Sequence, residues 1–391
     1  MRRAFGGQLA GFLRLALLGL CFRQTLQAFE LGIYGPMTSV SEDFLSTAVL
    51  FDRSLRGLTT TPIISVSSPH ADLAFNIQIG NSNSNPNTGI ATAIDFFQGV
   101  NGATKIAGLV GGYHSAISMP VANLATYYKV PQIALSTNPS LSNKDSYPYF
   151  MRTIPPDSIQ GAGMWAAIKH FAIPQVTFIY ALESYGEGLF GVVTQKAGLD
   201  SMAYRVNGLG VTYMPDVYDT AKARIVVKAA LSSQPKTIFV AMTMDQGTPF
   251  WGVANEEGLF TGGKYQLFGL EALPLSSGDS ILPVGYMYFS PQSRGDRFQY
   301  FEQAWKLLTP DDITGAAATS LYKLDNFKVK FGESGVKTSV PTSANFENCD
   351  NLFGESPMFF DAAYAFVFAV DSLLKKGTAM ADIKELPSSM S

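Results

Sequence analysis

The stretch from Ile106 to Gln160 reads IAGLVGGYHSAISMPVANLATYYKVPQIALSTNPSLSNKDSYPYFMRTIPPDSIQ, and its alternation of element types decides the fold class. Ile106 to Val110 is a continuous apolar run of strand length. Ala116 to Tyr128 sets Ile117, Val121, Leu124 and Tyr128 at helical spacing, and Val130 to Leu135 is again a short apolar strand. Strands apolar on both faces and separated by helices belong to parallel sheets covered by helices on each side.

The same alternation extends in both directions. Upstream, Leu31 to Tyr34 and Phe75 to Ile79 read as strands, and the polar loop Gly80 to Thr88 leads into a helix over Gly89 to Phe97. Downstream, a second set follows: helix Ser158 to Phe171, strand Gln175 to Tyr180, helix Gly186 to Ala197, strand Thr237 to Met242, helix Thr248 to Glu257 and strand Tyr265 to Gly269. Two open α/β units are therefore expected, with ligand sites at the C-terminal ends of the strands. The apolar stretch Phe359 to Leu374 contains Asp361 and Asp371 and ends at Lys375, Lys376 and Gly377, so it reads as a core helix rather than a membrane span.

Composition narrows the function. The 391 residues include 28 Lys+Arg against 31 Asp+Glu, 47% hydrophobic and only 15% charged residues, which excludes a disordered chain. A net charge of −3 and no run of Lys or Arg leave no footprint for nucleic acid. Arg2 and Arg3 precede the apolar run Leu9 to Phe22, and small Ala28 follows polar residues, the pattern of a secretory signal peptide over residues 1–28. Its removal takes away four arginines and leaves 363 residues with a net charge of −7. Cys21 falls inside that segment, so Cys349 has no partner for an internal disulfide and either pairs with another chain or is buried as a small apolar group. No glycosylation sequon is present, since Asn138 is followed by Pro139.

Catalytic signatures are missing. His70, His114 and His170 have no metal-ligand spacing, and there is no GxSxG elbow, no phosphate-binding GxxxxGK[ST] loop and no GxGxxG fingerprint after a strand. No cofactor and no metal are implied.

Several residues could line a crevice. Ser115 opens a helix after a strand, where its hydroxyl and the free N–H groups of the first turn would suit a carboxylate; the alternative is a plain N-cap. Ser136 and Thr137 end another strand and would offer hydroxyls to the same crevice, or form a simple turn into Pro139. Asp157 stands three residues before Gln160, the spacing of a capping box, and the cap is the favoured reading.

These residues also carry a family resemblance. The strand ending in Gly111 with Ser115 opening a helix, the Val130 to Ile133 strand followed by Ser136-Thr137-Asn138-Pro139 and Leu141-Ser142, and Tyr149-Phe150-x-Arg152-x-x-Pro155-Pro156-Asp157 occur in one order and spacing. Glu183 to Glu187 and Phe360 to Ala365 add two further pieces. Together, over residues 29 to about 377, the chain resembles the ligand-binding region shared by class C G-protein-coupled receptors, natriuretic-peptide receptors and bacterial branched-chain amino-acid binding proteins.

The resemblance implies a bilobed type I periplasmic-binding-protein fold, α/β in class, with two parallel-sheet lobes, a hinge and a central cleft. Lobe one would hold 29–156 and 285–391, and lobe two 157–284, with hinges near Arg152 to Pro156 and Pro283 to Tyr286. It implies that Asp157 meets a ligand ammonium, that the Tyr185 ring lies over it in a cation–π contact worth roughly 0.5–2 kcal/mol, and that Glu271 is a second acid. A packing role is the alternative for Tyr185. With Ser115 and Thr137 on the opposite lobe these would clamp a zwitterion. The implied partner is a small polar ligand, an amino acid or a relative, with a second copy paired through lobe one and a membrane reached only through a receptor portion beyond this chain. The place would be extracellular.

Departures accompany the resemblance. Tyr113 and His114 stand where amino-acid receptors carry small or hydroxyl residues, the family's disulfides are missing, and no basic residue is assigned to an acidic ligand side chain. The chain also stops soon after Lys376, short of the family's further strands, which leaves open a truncated form. Three functions therefore stand beside the receptor domain: the soluble binding protein of an amino-acid transporter, a ligand-free dimerisation or regulatory module, and, on weaker grounds, a secreted α/β enzyme.

Overall fold

The computed structural model describes residues 28–37, 43–59, 63–64, 66–200, 204–212, 219–233, 236–270, 285–292, 294–315, 321, 343–347, 349, 352 and 354–383. The expected signal segment before Ala28, Glu271 and the Pro283 end of the second hinge lie outside them.

The first unit runs β1 (Phe29–Gly35), α1 (Asp43–Leu55), β2 (Phe75–Asn81), α2 (Pro86–Gln98), β3 (Gly108–Gly111), α3 (Ser115–Tyr128), β4 (Gln132–Ala134) and β5 (Phe150–Arg152). Its five strands lie in the order β2-β1-β3-β4-β5, all parallel, with Ile33 opposite Val110 and Ala134 opposite Arg152. The second unit runs α4 (Asp157–His170), β6 (Gln175–Ala181), α5 (Ser184–Leu199), β7 (Arg205–Val211), α6 (Thr220–Ser232), β8 (Thr237–Ala241), α7 (Met244–Glu256), β9 (Gln266–Leu270) and β10 (Met287–Phe289). Its sheet, β10-β9-β8-β6-β7, is parallel throughout. Two parallel sheets with interleaved helices are the α/β architecture of a bilobed type I periplasmic-binding-protein fold.

The chain then continues through α8 (Phe298–Trp305), α9 (Pro310–Thr314), α10 (Ala344–Glu347), α11 (Ser356–Lys375) and α12 (Met380–Ile383). Of these, α8 and α11 send Phe301, Trp305, Phe360 and Tyr364 into the core of the first unit. Phe51 of α1 meets both Phe360 and Tyr364 edge-on, with ring centroids 6.0 and 5.3 Å away. Each large apolar side chain buried in this way contributes about 1.5–3 kcal/mol. The α11 helix has the length and hydropathy of a membrane span, yet 67% of its most apolar stretch is buried within the fold.

Local chemistry explains where elements begin. The α2 helix starts at Pro86, before the expected Gly89, because the Asn85 side chain accepts from the Asn87 and Thr88 N–H groups at 2.9 and 3.2 Å and Pro86 sits at the first helical position. It ends at Gly99 in the left-handed conformation, φ 70°.

Several elements have no counterpart in the sequence reading. The α1 helix is one of them, although Phe44, Ala48, Phe51 and Leu55 recur at helical spacing; its residues are buried without a break from Phe44 to Asp52. The β7 strand, RVNGLGV, is a half-exposed edge strand whose two glycines sit under side chains: a Cβ at Gly208 would lie 2.3 Å from the Phe190 ring, and one at Gly210 2.4 Å from Leu182. The β10 strand pairs with β9, so the second sheet reaches Phe289, past the expected boundary at 284.

Candidate functional site

The C-terminal ends of β3, β4 and β5 converge on a set of loops that face α4 and α5. From β3 the chain turns through Gly111 and Gly112, at φ 128° and 96°. A Cβ at Gly111 would lie 1.8 Å from the Tyr34 carbonyl oxygen, and one at Gly112 2.1 Å from Ser118 Oγ. Only glycine satisfies both the dihedral and the space.

His114, not Ser115, occupies the N-cap position of the helix that follows, without a side-chain cap bond; Ser115 is the first helical residue and is buried. His114 Nε2 hydrogen-bonds Ser84 Oγ at 3.1 Å. Tyr113 packs its ring on Phe44 and on His114, with centroids 5.3 and 4.9 Å away. The two residues that depart from the family are thus held by contacts within lobe one.

Ser136 is fully buried. Its hydroxyl lies 2.9 Å from the Gly112 carbonyl and 3.2 Å from that of Tyr113, and also meets Ser118 Oγ, so it braces the glycine turn. Thr137 offers its carbonyl to the Asp157 N–H at 2.8 Å. Arg152 donates through Nη1 to the Ser136 and Asn138 carbonyls at 3.1 and 3.2 Å, and through Nη2 to Ser142 Oγ at 3.0 Å.

Asp157 corrects the favoured reading of its role. Pro156 occupies the N-cap position of α4, with no side-chain cap bond, and Asp157 is the first helical residue. Its expected capping partner Gln160 instead donates to the Phe289 carbonyl of β10 at 3.2 Å. The Asp157 carboxylate is completely buried, and neither oxygen has a hydrogen-bond partner among the described residues. Burial pushes its titration up from 3.8 to about 7. The Thr137 hydroxyl and the Arg152 guanidinium pull it partly back, and Glu183 adds a smaller upward push. Thr137 lies close enough to favour the charged form without closing a hydrogen bond of normal geometry. Burial also lowers the Arg152 value, opposed by Asp157.

On the facing lobe, Glu183 caps α5: its carboxylate accepts from the Tyr185 and Gly186 N–H groups, each at 2.9 Å. Tyr185 is only 4% exposed and belongs to an apolar cluster with Met164, Trp165, Phe178 and Leu189. The structure therefore joins Thr137 to Asp157 directly and sets Ser115 beside the turn that Ser136 braces, whereas the Tyr185 ring sits in lobe-two packing. Glu271 lies outside the described residues.

Three participants escaped the sequence reading as site residues: Arg152, Asn138 and Glu183. The usable signals were the Asn-Pro pair at 138–139, a turn marker, and Glu183 just ahead of a helix. Among the described residues no cluster of His, Cys, Asp and Glu is arranged to hold a metal.

The comparisons with known proteins agree with this architecture. A family model described as the receptor family ligand binding region matches residues 66–389. The chain is similar to a metabotropic glutamate receptor of Drosophila melanogaster, 37% identical over 297 residues that cover 68% of this chain and 29% of that protein. It is also similar to a probable metabotropic glutamate receptor of Caenorhabditis elegans, 28% identical over 242 residues, 52% of this chain and 23% of the relative. The chain spans less than a third of the length of these relatives. With two parallel-sheet units and a family match over most of its length, the chain belongs to the receptor family ligand-binding regions.

Proposed function

We propose that this chain is the extracellular ligand-binding domain of a membrane receptor, non-enzymatic, which senses a small polar molecule carrying an ammonium group. The observation that carries the reading is the Asp157 carboxylate, buried at the start of α4 with both oxygens unpartnered among the described residues. A buried carboxylate without donors is costly, and a ligand cation supplies the missing charge and hydrogen bonds. The two relatives are named for glutamate, an amino acid, which fits an ammonium at Asp157 and a carboxylate at the Ser115 end of α3. Lobe closure would follow from contacts available only when both lobes meet the ligand.

Thermal unfolding of the 391-residue chain with a panel of amino acids, amines and small carboxylates tests the reading. A ligand at a hundred times its dissociation constant stabilises by about 2.7 kcal/mol, and Asp157→Asn should remove the response. No stabilisation by any member of the panel, with the protein folded, refutes the small-ligand function. A second reading, a ligand-free dimerisation or regulatory module, is favoured by the commitment of Ser136 and Tyr185 to internal packing. It predicts self-association that is indifferent to Asp157→Asn.

A further inference from the structure

The loop after β4 also meets the first turn of α5 directly. Asn138, itself buried, donates through Nδ2 to the Ser184 carbonyl oxygen across the two lobes. Its Oδ1 accepts from the Ser140 N–H at 2.9 Å and caps the short 3-10 turn Pro139–Ser142. One amide thus serves its own lobe with the oxygen and the other lobe with the nitrogen. The loop that presents it is tied to β5 by Arg152, which donates to the Asn138 carbonyl.

The α5 side is shaped to receive it. Gly188 lies one helical turn beyond Ser184, on the same face. A Cβ at Gly188 would lie 2.8 Å from Asn138 Nδ2 and 3.4 Å from Pro139 Cδ. Any side chain there would push the amide out. The α3 and α5 helices also touch, so the approach is not confined to one bond.

We propose that Asn138 is an inter-lobe positioning residue: its amide seats in a notch on α5 opened by Gly188 and holds the lobes together before any ligand arrives. The device does not depend on what occupies the cleft. It raises the population of the closed arrangement and so sets the apparent affinity of whatever ligand requires closure.

Asn138→Asp breaks the crossing bond selectively within the loop: it keeps the acceptor for the Ser140 N–H and replaces the donor to Ser184 with a carboxylate oxygen that repels that carbonyl. Gly188→Ala attacks the same contact from the other side while favouring the helix itself, so loss of folding is not expected from it. Spin labels at Tyr127→Cys and Leu199→Cys, two positions each 79% exposed on α3 and α5, report the inter-lobe distance in the unliganded chain. Each variant should raise the long-distance population by roughly five- to tenfold, the factor carried by one lost hydrogen bond. The double variant should show no more than either alone, since both remove one contact. Wild-type distance distributions in Asn138→Asp and Gly188→Ala, or fully additive effects in the double variant, overturn the proposal. Because the measurement uses no ligand, its outcome is independent of the amino-acid panel.

Discussion

Asp157 should make the stability of the unliganded chain fall as pH rises through the weakly acidic range. Its carboxylate titrates at about 7 when folded, against an ordinary 3.8. Below 3.8 both folded and unfolded chains hold the proton, and the group contributes nothing. Between 3.8 and about 7 the unfolded chain releases its proton while the folded one keeps it, so stability drops by about 1.4 kcal/mol per pH unit. Above about 7 the loss is complete, roughly 4 kcal/mol in all. Asp157→Asn removes this dependence. Urea denaturation of both proteins from pH 4 to pH 8 should therefore give a stability difference near its minimum at the acid end that grows in favour of the variant and levels off above about pH 7. A difference that stays constant across the range would mean the carboxylate titrates normally, and the argument from its burial would fail. Ligand binding carries the opposite sign. An ammonium needs the charged carboxylate, so its affinity should rise about tenfold per pH unit below 7 and then plateau.

Three further outcomes follow from the geometry. Gly112→Ala combines φ 96° with a Cβ 2.1 Å from Ser118 Oγ, whereas Gly57→Ala has φ 68° and open space, so urea denaturation should show a loss of about 1–3 kcal/mol at Gly112 and a smaller one at Gly57. Equal losses would show that the brace around the turn is immaterial. Glu183→Ala removes the acceptor for two α5 amides and should destabilise by about 1 kcal/mol, with Glu183→Gln recovering part of it; no loss in the alanine variant would contradict the cap. Cys349 is buried with its thiol pushed up to about 12 by burial, so a thiol reagent at pH 8 should modify it only after urea is added, and rapid labelling of the folded chain would refute that placement.

The parts of the fold that were legible are those in which one face or one run is apolar. The strands β1, β2, β3, β6, β8 and β9 lie where apolar runs sit, and α3 follows the spacing of Ile117, Val121 and Leu124. The β7 strand, with glycines beneath Phe190 and Leu182 in place of an apolar run, was not visible. The α1 helix does carry helical spacing at Phe44, Ala48, Phe51 and Leu55, and that signal was there to be read. Site residues were found by type and place, but their side-chain partners were not. The spacing of Asp157 and Gln160 suits a capping box, yet Gln160 reaches Phe289, 129 residues away. No local pattern contains that competitor.

Sequence alone determined the α/β class, the two parallel-sheet units and the family, and singled out Ser115, Ser136, Thr137 and Asp157 as candidates, because these depend on hydrophobic period and on short motifs in fixed order. Tertiary structure decided which of those groups is already engaged. Ser136 braces the glycine turn, Tyr185 packs into its own lobe, and Asn138 reaches across to Ser184. It also decided that the Asp157 carboxylate is buried with neither oxygen hydrogen-bonded among the described residues, for a buried charge is defined by everything packed around it, and those neighbours come from segments far apart in the chain.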